Sequence, residues 1–411
     1  MLRWLIFLVV FGILDFYAFQ SLRTVTKSSW VHVLYWILSV LVIGNLIYQF
    51  YGFSRSNGFS HAHSYAVGFF IAILVPKAIL LIAMLGEDIF RVPQALYRYF
   101  TEGETAKGNY FASRRKFISQ VALGLAAIPF ASILYGITKG KYNYKVLKYT
   151  LNFEDLPEAF DGYQITQISD VHSGSFDNFD KVSYAIDLIN EQQSDVILFT
   201  GDMVNNKAEE MKPYKALFGK LKAKDGLYSV LGNHDYGDYA HWNSEAEKEQ
   251  NLEDLKTIQK EIGFDLLLNE SRYLEKNGQR LALIGVENWG AGGFKKAGDL
   301  RKATSQIQEN DFKILMSHDP SHWDQQVVSD NYHYHLTLSG HTHGMQFGIE
   351  IPGWIKWSPV KWRYKHWAGI YENAGQYINV NRGFGYLAFP GRVGIWPEIT
   401  VIQLKKGANS A

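Results

Sequence analysis

The chain has 411 residues, a formal net charge of +1 and an aromatic content of 15%. Its length exceeds that of one average domain and predicts roughly two or three units. A nearly neutral charge argues against electrostatic capture of nucleic acid, so no nucleic-acid partner is expected. Because the chain contains no cysteine, it has no disulfide and no thiolate site, and any metal must be held by His, Asp, Glu, Asn or water.

The first third of the chain contains four apolar segments that predict transmembrane helices. Each segment has roughly 18 to 21 residues, close to the length that a helix needs to cross a bilayer. We place a transmembrane region at residues 1–140, with segments at residues 2–19, 30–50, 66–85 and 117–137.

Lys77 lies in the middle of the third segment, where a charge ordinarily faces a partner or a water-filled cavity. We favour a lysine that is paired within the bundle or that reaches an interface, because the segments hold few other charges. A transporter with an appended domain therefore has little support. His61 and His63 follow the second segment without an acidic neighbour, and we expect them to be solvated loop residues.

The distribution of lysine and arginine predicts the orientation of the segments. The loops after the first and third segments carry more of these residues than the opposite side, and the densest run, SRRK at residues 113–116, precedes the fourth segment. The C-terminal part is therefore expected outside the cytoplasm. The run SRRKFI also resembles a twin-arginine export signal, although a basic flank at a helix end explains it equally well, and both interpretations predict the same topology.

From about Lys148 onward, short apolar runs alternate with helical patterns, which predicts an α/β domain over residues 148–408. Runs rich in β-branched and aromatic side chains predict strands at residues 163–169, 195–200, 226–231, 280–286, 312–317, 335–340 and 376–381. Helices are predicted between several of them, at residues 181–190, 245–261 and 300–308. This alternation indicates layered sheets whose reactive groups collect at the carboxyl ends of the strands.

Five of these strands are each followed by residues that can bind a metal ion. The residues are Asp170 and His172 in SDVHS, Asp202 in TGDMVNN, Asn233, His234 and Asp235 in LGNHD, His318 in MSHDP, and His341 and His343 in SGHTHG. Because residues i and i+2 of an extended segment face the same way, Asp-Val-His and His-Thr-His are each expected to present two ligands to one point. Adjacent glycines are expected to allow positive φ or a close backbone approach. Such a series at predicted strand ends is a strong signal for a metal site.

This series resembles the motifs of the calcineurin-like metallophosphoesterases over residues 163–404. The chain is most similar to the bacterial branch in which such a domain follows membrane segments, and YINVNRGFG and PGRVGIWPEITVIQL resemble the closing strands of that branch. The resemblance implies a four-layer αββα sandwich, located as part of an integral protein in a bacterial inner or cell membrane.

The resemblance also implies roles for individual residues. It assigns ligands to two divalent metal ions, the first held by Asp170, His172 and His343 and the second by Asn233, His318 and His341, with Asp202 bridging them. His234 would be the catalytic residue that stabilises the transferred phosphoryl group and protonates the leaving oxygen. Nitrogen and oxygen ligands suit Mn, Fe, Zn, Co or Ni, and a pair of such ions activates water for in-line attack on phosphorus.

Two positions depart from the family pattern. Asn205 stands where relatives often carry an aspartate that pairs with the catalytic histidine, so Asp235 either substitutes for that aspartate or only supports the turn. Met345 replaces the second glycine of the usual G-H-T-H-G-G. We expect this methionine to change the shape of the pocket without loss of metal.

Other histidines and arginines near the motifs are more weakly indicated as functional residues. Among the histidines, we expect core or sheet-face positions for His333 and His335 and surface positions for His241 and His322. Arg382 and Arg392 lie in glycine-rich closing loops, and each could bind a phosphate through two hydrogen bonds, although we favour a structural role.

The segment at residues 348–371 interleaves lysine and arginine with aromatic residues, which are Trp354, Trp357, Trp362, Tyr364, Trp367 and Tyr371. This composition is typical of a membrane interface. Rings that line a pocket for an amphiphilic substrate, or that pack on the protein surface, have the same composition. We favour contact with membrane lipids or with the protein's own spans, and stacking on nucleic acid is not expected.

The sequence therefore predicts a membrane-anchored hydrolase of phosphomonoester, phosphodiester or pyrophosphate bonds. The spans and the aromatic segment add the hypothesis of a lipid-linked substrate at the membrane. The alternative is a catalytically silent sensor or scaffold that retains the metal-binding fold, for which Asn205 is the only indication. No protein partner can be inferred from the sequence.

Overall fold

The structure is a computed structural model that describes residues 2–53, 59–102, 110–351 and 353–408. It divides into two compact units, a helical one that ends at Thr138 and an α/β one from Lys139 onward. The helices of the first unit are α1 (Leu2–Val25), α2 (Ser29–Tyr51), α3 (His61–Glu102) and α4 (Tyr110–Thr138). All four are long and apolar enough to cross a membrane, which confirms the predicted spans.

Lys77 is buried in this bundle and is paired, as predicted. Its ammonium group lies 2.7 Å from the Asp15 carboxylate of α1 and donates to the Ser39 hydroxyl of α2 at 2.9 Å. The Tyr35 hydroxyl of α2 also donates to Asp15, at 2.5 Å. Residues of α1, α2 and α3 therefore meet at one ion pair, which fixes the register of these helices.

Replacing Lys77 with methionine would leave Asp15 buried without its partner. Breaking a buried ion pair costs about 3–5 kcal/mol in the free energy of unfolding, so Lys77→Met is expected to lower the unfolding temperature of the detergent-purified protein, measured by circular dichroism. The double variant Lys77→Met/Asp15→Asn leaves no charge unpaired and is expected to recover most of the loss. Equal destabilisation by both variants would contradict the pairing.

A second group of ion pairs involves the paired arginines of the SRRK run. Arg115 of α4 lies 2.9 Å from Glu87 and 2.6 Å from Asp88, and Arg114 lies 3.7 Å from Glu87. The two carboxylates belong to α3, and that of Glu87 is buried. These arginines therefore join α4 to α3, which favours the helix flank over the export signal.

The two predicted loop histidines lie in the first turn of α3, not in a loop. The His61 side chain is exposed, and that of His63 is half-buried. The His63 ring is hydrogen-bonded to the Ser60 hydroxyl at 2.6 Å and to the Gln49 carbonyl at 3.1 Å. The expected exposure to solvent therefore holds for His61 but only in part for His63, and the loop assignment was wrong for both.

The second unit is built on two six-stranded sheets and a separate hairpin. The strands are β1 (Lys145–Phe153), β2 (Gln164–Ile168), β3 (Val196–Phe199), β4 (Leu227–Ser229), β5 (Phe264–Leu266), β6 (Glu270–Lys276), β7 (Gln279–Val286), β8 (Lys313–Ser317), β9 (Leu336–Ser339), β10 (Ile349–Ile351), β11 (Ile355–Trp357), β12 (Gly369–Asn373), β13 (Gln376–Val380) and β14 (Glu398–Lys406). The sheet orders are β1-β14-β2-β3-β4-β5 and β12-β13-β9-β8-β7-β6, and β10 pairs with β11.

The helices of this unit cover the outer faces of the sheets. They are α5 (Phe179–Glu191), α6 (Lys215–Phe218), α7 (Glu245–Ile262), α8 (Leu300–Ala303) and α9 (Ser321–Gln325). Val182 of α5 packs with Ile197 of β3 in one core cluster, and Trp323 of α9 packs with Leu315 of β8 in another.

The two sheets pack face to face. Ile165 of β2 and Leu198 of β3 share a buried cluster with Leu283, Ile314 and Leu338 of β7, β8 and β9. The central strands are thus buried on both faces, which is why they appear in the sequence as short continuous apolar runs. The arrangement is the predicted four-layer αββα sandwich.

Every strand predicted from the sequence is present, but one helix is shorter than predicted. The helix α8 ends at Ala303, where the Thr304 hydroxyl donates to the Leu300 carbonyl at 2.8 Å. Six strands were missed because they are short or only partly buried, so their sequences lack a long continuous apolar run; they are β1, β5, β6, β10, β11 and β12.

Candidate metal centre

The predicted ligands lie on loops that directly follow β2, β3, β4, β8 and β9. Within each sheet these strands are parallel to their neighbours in this set. Because parallel strands end at the same edge of a sheet, their loops can meet there. The side chains of residues far apart in sequence consequently come together.

The first group of donor side chains consists of Asp170, His172 and His343, which are all buried. The Nε2 atoms of His172 and His343 are 3.0 Å apart, and His343 Nε2 lies 3.2 Å from the Asp170 carboxylate. The carboxylate of Asp202 lies 3.6 Å from His172 Nε2, so Asp202 reaches this group from the neighbouring loop.

Asp202, His318 and His341 form the second group. His318 Nε2 lies 3.1 Å from the Asp202 carboxylate, and the side-chain oxygen of Asn233 lies 2.8 Å from His341 Nδ1. Asp202 therefore stands next to donors of both groups.

The spacing of these donors fits divalent metal ions. Nitrogen and oxygen ligands bind such ions at about 2.0–2.2 Å, so neighbouring ligand atoms of one ion are about 3 Å apart. The measured separation of the His172 and His343 nitrogens agrees with that value. His318 Nε2 is buried and lies 3.1 Å from the Asp202 carboxylate without the geometry of a hydrogen bond, as is expected of two ligands that face a common ion.

The backbone at these residues is left-handed, with φ between 47° and 72° at Asp170, His172, His341 and His343. The assumption of an extended segment was therefore wrong. Asp170 and His172 still reach one group, whereas His341 and His343 reach different groups, as the family resemblance implies. Strained backbone of this kind is typical of functional sites.

Two glycines leave room for the carboxylates of the site. A Cβ atom at Gly232 would overlap the Asp202 side chain, and one at Gly340 would overlap Ser169 and Asp170. Any larger residue would displace these groups. The expected close approach of the backbone is therefore present at both positions.

His234 lies against the first group and is oriented by the backbone of the β3 loop. Its Nδ1 atom is 2.7 Å from the carbonyl oxygen of Asn205, and its ring centroid is 4.9 Å from that of His172. Because a carbonyl only accepts hydrogen bonds, Nδ1 carries a proton and Nε2 remains to exchange one. Burial lowers the pKa of His234, although the charge of Asp202 opposes this shift. The Asn205 carbonyl thus holds His234, where the family resemblance implies an aspartate side chain.

Asp235 supports the turn and does not substitute for that aspartate. Its carboxylate accepts hydrogen bonds from the backbone N–H groups of Asp202 at 2.9 Å, Met203 at 2.8 Å and Gly232 at 2.9 Å. Burial and the nearby Asp202 carboxylate raise the pKa of Asp235 to about 7. The hypothesis of substitution was wrong because these backbone donors hold the carboxylate.

Two further contacts orient the histidines of the second group. His318 Nδ1 lies 2.7 Å from the Thr200 carbonyl oxygen, and His341 Nε2 lies 2.8 Å from the Tyr364 hydroxyl. Such outer partners fix the rotation of a ligand ring. Burial raises the pKa of Tyr364 to about 12, so its hydroxyl stays protonated. Sequence reasoning missed this role of Tyr364, whose only signal was its place in the aromatic segment.

Two of the four histidines outside the motif series lie where the sequence predicted, and two do not. His335 is buried and His241 is exposed, as expected. His322 is buried, with its Nδ1 atom 2.8 Å from the Ser317 hydroxyl, so the predicted surface position was wrong. His333 precedes β9 and is exposed, so its predicted position in the core or on the sheet face was also wrong.

Arg382 and Arg392 are both held by protein groups. Arg382 lies 2.5 Å from Glu350 and 2.5 Å from Glu398. Arg392 is fully buried and donates to the Gly385 carbonyl at 2.6 Å. These contacts favour the structural role for both arginines.

The aromatic segment divides into buried and exposed rings. Trp367 is buried in a small core cluster, whereas Trp354 is 77% exposed and Trp362 is 75% exposed. Met345 has the left-handed backbone of a glycine, with φ 55°, and its side chain is exposed. The segment therefore has an exposed apolar surface on the β10–β11 side. It also places the Tyr364 hydroxyl against His341, a candidate metal ligand.

Comparison with protein families gives matches in both units. Residues 2–141 match the family model described as "Probable Calcineurin-like phosphoesterase, transmembrane domain". Residues 163–345 match the model described as "Calcineurin-like phosphoesterase". The second match contains every predicted ligand and His234.

Several bacterial relatives are similar over most of their length. The uncharacterized metallophosphoesterase YkuE of Bacillus subtilis is 30% identical over 303 residues, covering 71% of this chain and 98% of YkuE. YkoQ of the same organism, also an uncharacterized metallophosphoesterase, is 26% identical over 69% of this chain and 99% of its own. An uncharacterized metallophosphoesterase of Helicobacter pylori is 25% identical over 97% of both chains. The chain belongs to the calcineurin-like metallophosphoesterases.

Proposed function

We propose that the protein is a dinuclear metal-dependent phosphoesterase that hydrolyses phosphoester or pyrophosphate bonds. The observation that carries the proposal is that two donor groups lie on either side of Asp202, with His234 beside the first. The proposed ligands are Asp170, His172 and His343 for one ion and Asn233, His318 and His341 for the other, with Asp202 shared. When bound, two such ions of Mn, Fe, Zn, Co or Ni supply hydroxide near neutral pH and neutralise phosphoryl charge.

The protein groups around the metals would position the leaving group. The Asn205 carbonyl holds the proton of His234 on Nδ1, so Nε2 is the atom that would deliver a proton to the leaving oxygen. The His234 backbone N–H donates to Asp202 Oδ1 at 2.8 Å, which ties the position of this histidine to the shared carboxylate. A general acid so placed contributes about 10²–10⁴-fold to the rate.

The proposed substrate is lipid-linked and is presented at the membrane. Support comes from the segment at residues 348–371, in which Trp354 and Trp362 are exposed and Tyr364 contacts His341. Exposed tryptophans beside lysines are typical of side chains that lie among lipid headgroups. From the lysine and arginine distribution, we further propose that the catalytic unit lies outside the cytoplasm of a bacterial inner or cell membrane.

The test is a substrate panel on the purified full-length protein in lipid nanodiscs, with each candidate metal. The panel contains an aryl phosphomonoester, an aryl phosphodiester, an aryl-linked pyrophosphate and phospholipid substrates. We expect metal-dependent hydrolysis, with a preference for lipid substrates that disappears when the bilayer is replaced by detergent. Two bound metals without any turnover would favour the silent sensor or scaffold. A preference for soluble esters in either environment would contradict only the lipid-linked substrate.

A further inference from the structure

Arg363 lies close to the second donor group. Its guanidinium carbon is 5.1 Å from the ring centroid of Phe294 and 5.4 Å from that of Tyr364. Both rings contact His341, with centroid separations of 4.8 Å for Phe294 and 5.4 Å for Tyr364. A single aromatic ring, that of Phe294 or of Tyr364, therefore separates the guanidinium from His341, a proposed metal ligand.

Arg363 has no ion-pair partner among the described residues. Its side chain is exposed, and none of the carboxylates in the described ranges lies within 4.0 Å of its guanidinium group. Arg272 and Arg280 of the same unit are paired in this way with Asp265 and Asp311. A guanidinium held over aromatic rings is pre-organised, so it loses less side-chain entropy when it binds an anion.

A second cation lies next to Phe294 in the chain. Lys295 is exposed, and its Nζ atom is 5.4 Å from the ring centroid of Tyr236, two residues after His234. As with Arg363, no described carboxylate forms an ion pair with it. Lys295 therefore belongs to the same loop as Phe294, the ring that contacts His341.

We propose that Arg363, assisted by Lys295, binds a second phosphoryl group of the substrate, beyond the one attacked at the metal centre. This inference rests on the proposed function and narrows it to substrates with two phosphoryl groups, such as pyrophosphate esters and bisphosphates. A guanidinium suits this task because its planar N–H groups donate two parallel hydrogen bonds to a phosphoryl group. Lysine lacks that geometry and acts as a point charge.

The test compares the binding of two inert probes to the metal-loaded full-length protein by isothermal titration calorimetry. Methylphosphonate has one phosphoryl-like group, and methylenediphosphonate has two. Arg363→Ala is expected to weaken binding of methylenediphosphonate about tenfold or more and to change that of methylphosphonate by less than about twofold, because only the former contacts the guanidinium. Arg363→Lys is expected to fall between these limits for methylenediphosphonate.

The matched control is Arg301→Ala, which removes an exposed arginine from α8 and is expected to leave the affinity for both probes unchanged. Metal content measured after each titration shows whether a probe has removed metal. Equal losses for both probes, no loss for either, or failure of the wild-type protein to bind methylenediphosphonate more tightly would each overturn the proposal. Because the measurement needs no turnover, absence of hydrolysis would contradict the proposed function and leave this result interpretable.

Discussion

Asp202→Asn is expected to lower the metal affinity of both donor groups at least about 100-fold, since loss of an outer partner alone costs about 10–100-fold. Asp202 is the side chain shared by the two groups, at 3.6 Å from His172 Nε2 and 3.1 Å from His318 Nε2. Burial disfavours its charge, but the neighbouring histidines, His318 foremost, hold its pKa well below the usual range, so it remains a carboxylate. An amide would bring no negative charge to two cations.

The measurement is the number of metal ions per chain after dialysis, determined by mass spectrometry of the protein as purified. Asp254→Asn is the matched control, because Asp254 is exposed on α7 and is expected to leave metal content unchanged. Circular dichroism of both variants shows whether the fold is retained. A folded Asp202→Asn protein that keeps two ions at wild-type affinity would show that Asp202 is not the shared ligand.

His234→Ala is expected to lower kcat about 10²–10⁴-fold, the usual contribution of a positioned general acid. Metal content should not change, because His234 belongs to neither donor group and is held by the Asn205 carbonyl. The rate is measured on the best substrate of the panel, with metal content determined on the same sample. A loss of kcat without a loss of metal would identify His234 as a proton donor and not as a metal ligand.

His241→Ala is the control for this variant, since His241 is an exposed histidine a few residues along the chain. It is expected to retain the wild-type kcat. If His234→Ala lost metal together with activity, His234 would act as a ligand instead. An unchanged kcat would remove it from the mechanism altogether.

Much of the fold and of the donor series was predictable because the information is local. A strand buried on both faces must be apolar along its length, so β3 and β8 are visible in the sequence, and the residues that follow them are then placed at the sheet edge. The strands β1 and β6 were missed because half-buried strands have mixed composition. The pairing of Lys77 was also predictable, because a charged side chain inside a membrane ordinarily faces a partner.

The hydrogen bonds and ion pairs that hold the side chains of the candidate site were not predictable from the sequence. Sequence alone left open whether Asp235 would replace the missing aspartate, and the folded loop showed that its carboxylate is occupied by backbone N–H groups while the Asn205 carbonyl holds His234. The pairing of Arg382 with Glu350 and Glu398 likewise removed a candidate phosphate ligand.

By itself, the sequence determined the four spans, the α/β class and the set of residues able to bind metal, because hydrophobic pattern and residue chemistry are local properties. The division of His341 and His343 between two groups was implied by the family resemblance. Only the tertiary structure decided that Tyr364 contacts one of them, and that Arg363 lies beside Phe294 without an ion-pair partner among the described residues. These relations join loops far apart in the chain. They depend on the left-handed backbone of each loop and on the packing of two sheets, which no local pattern specifies.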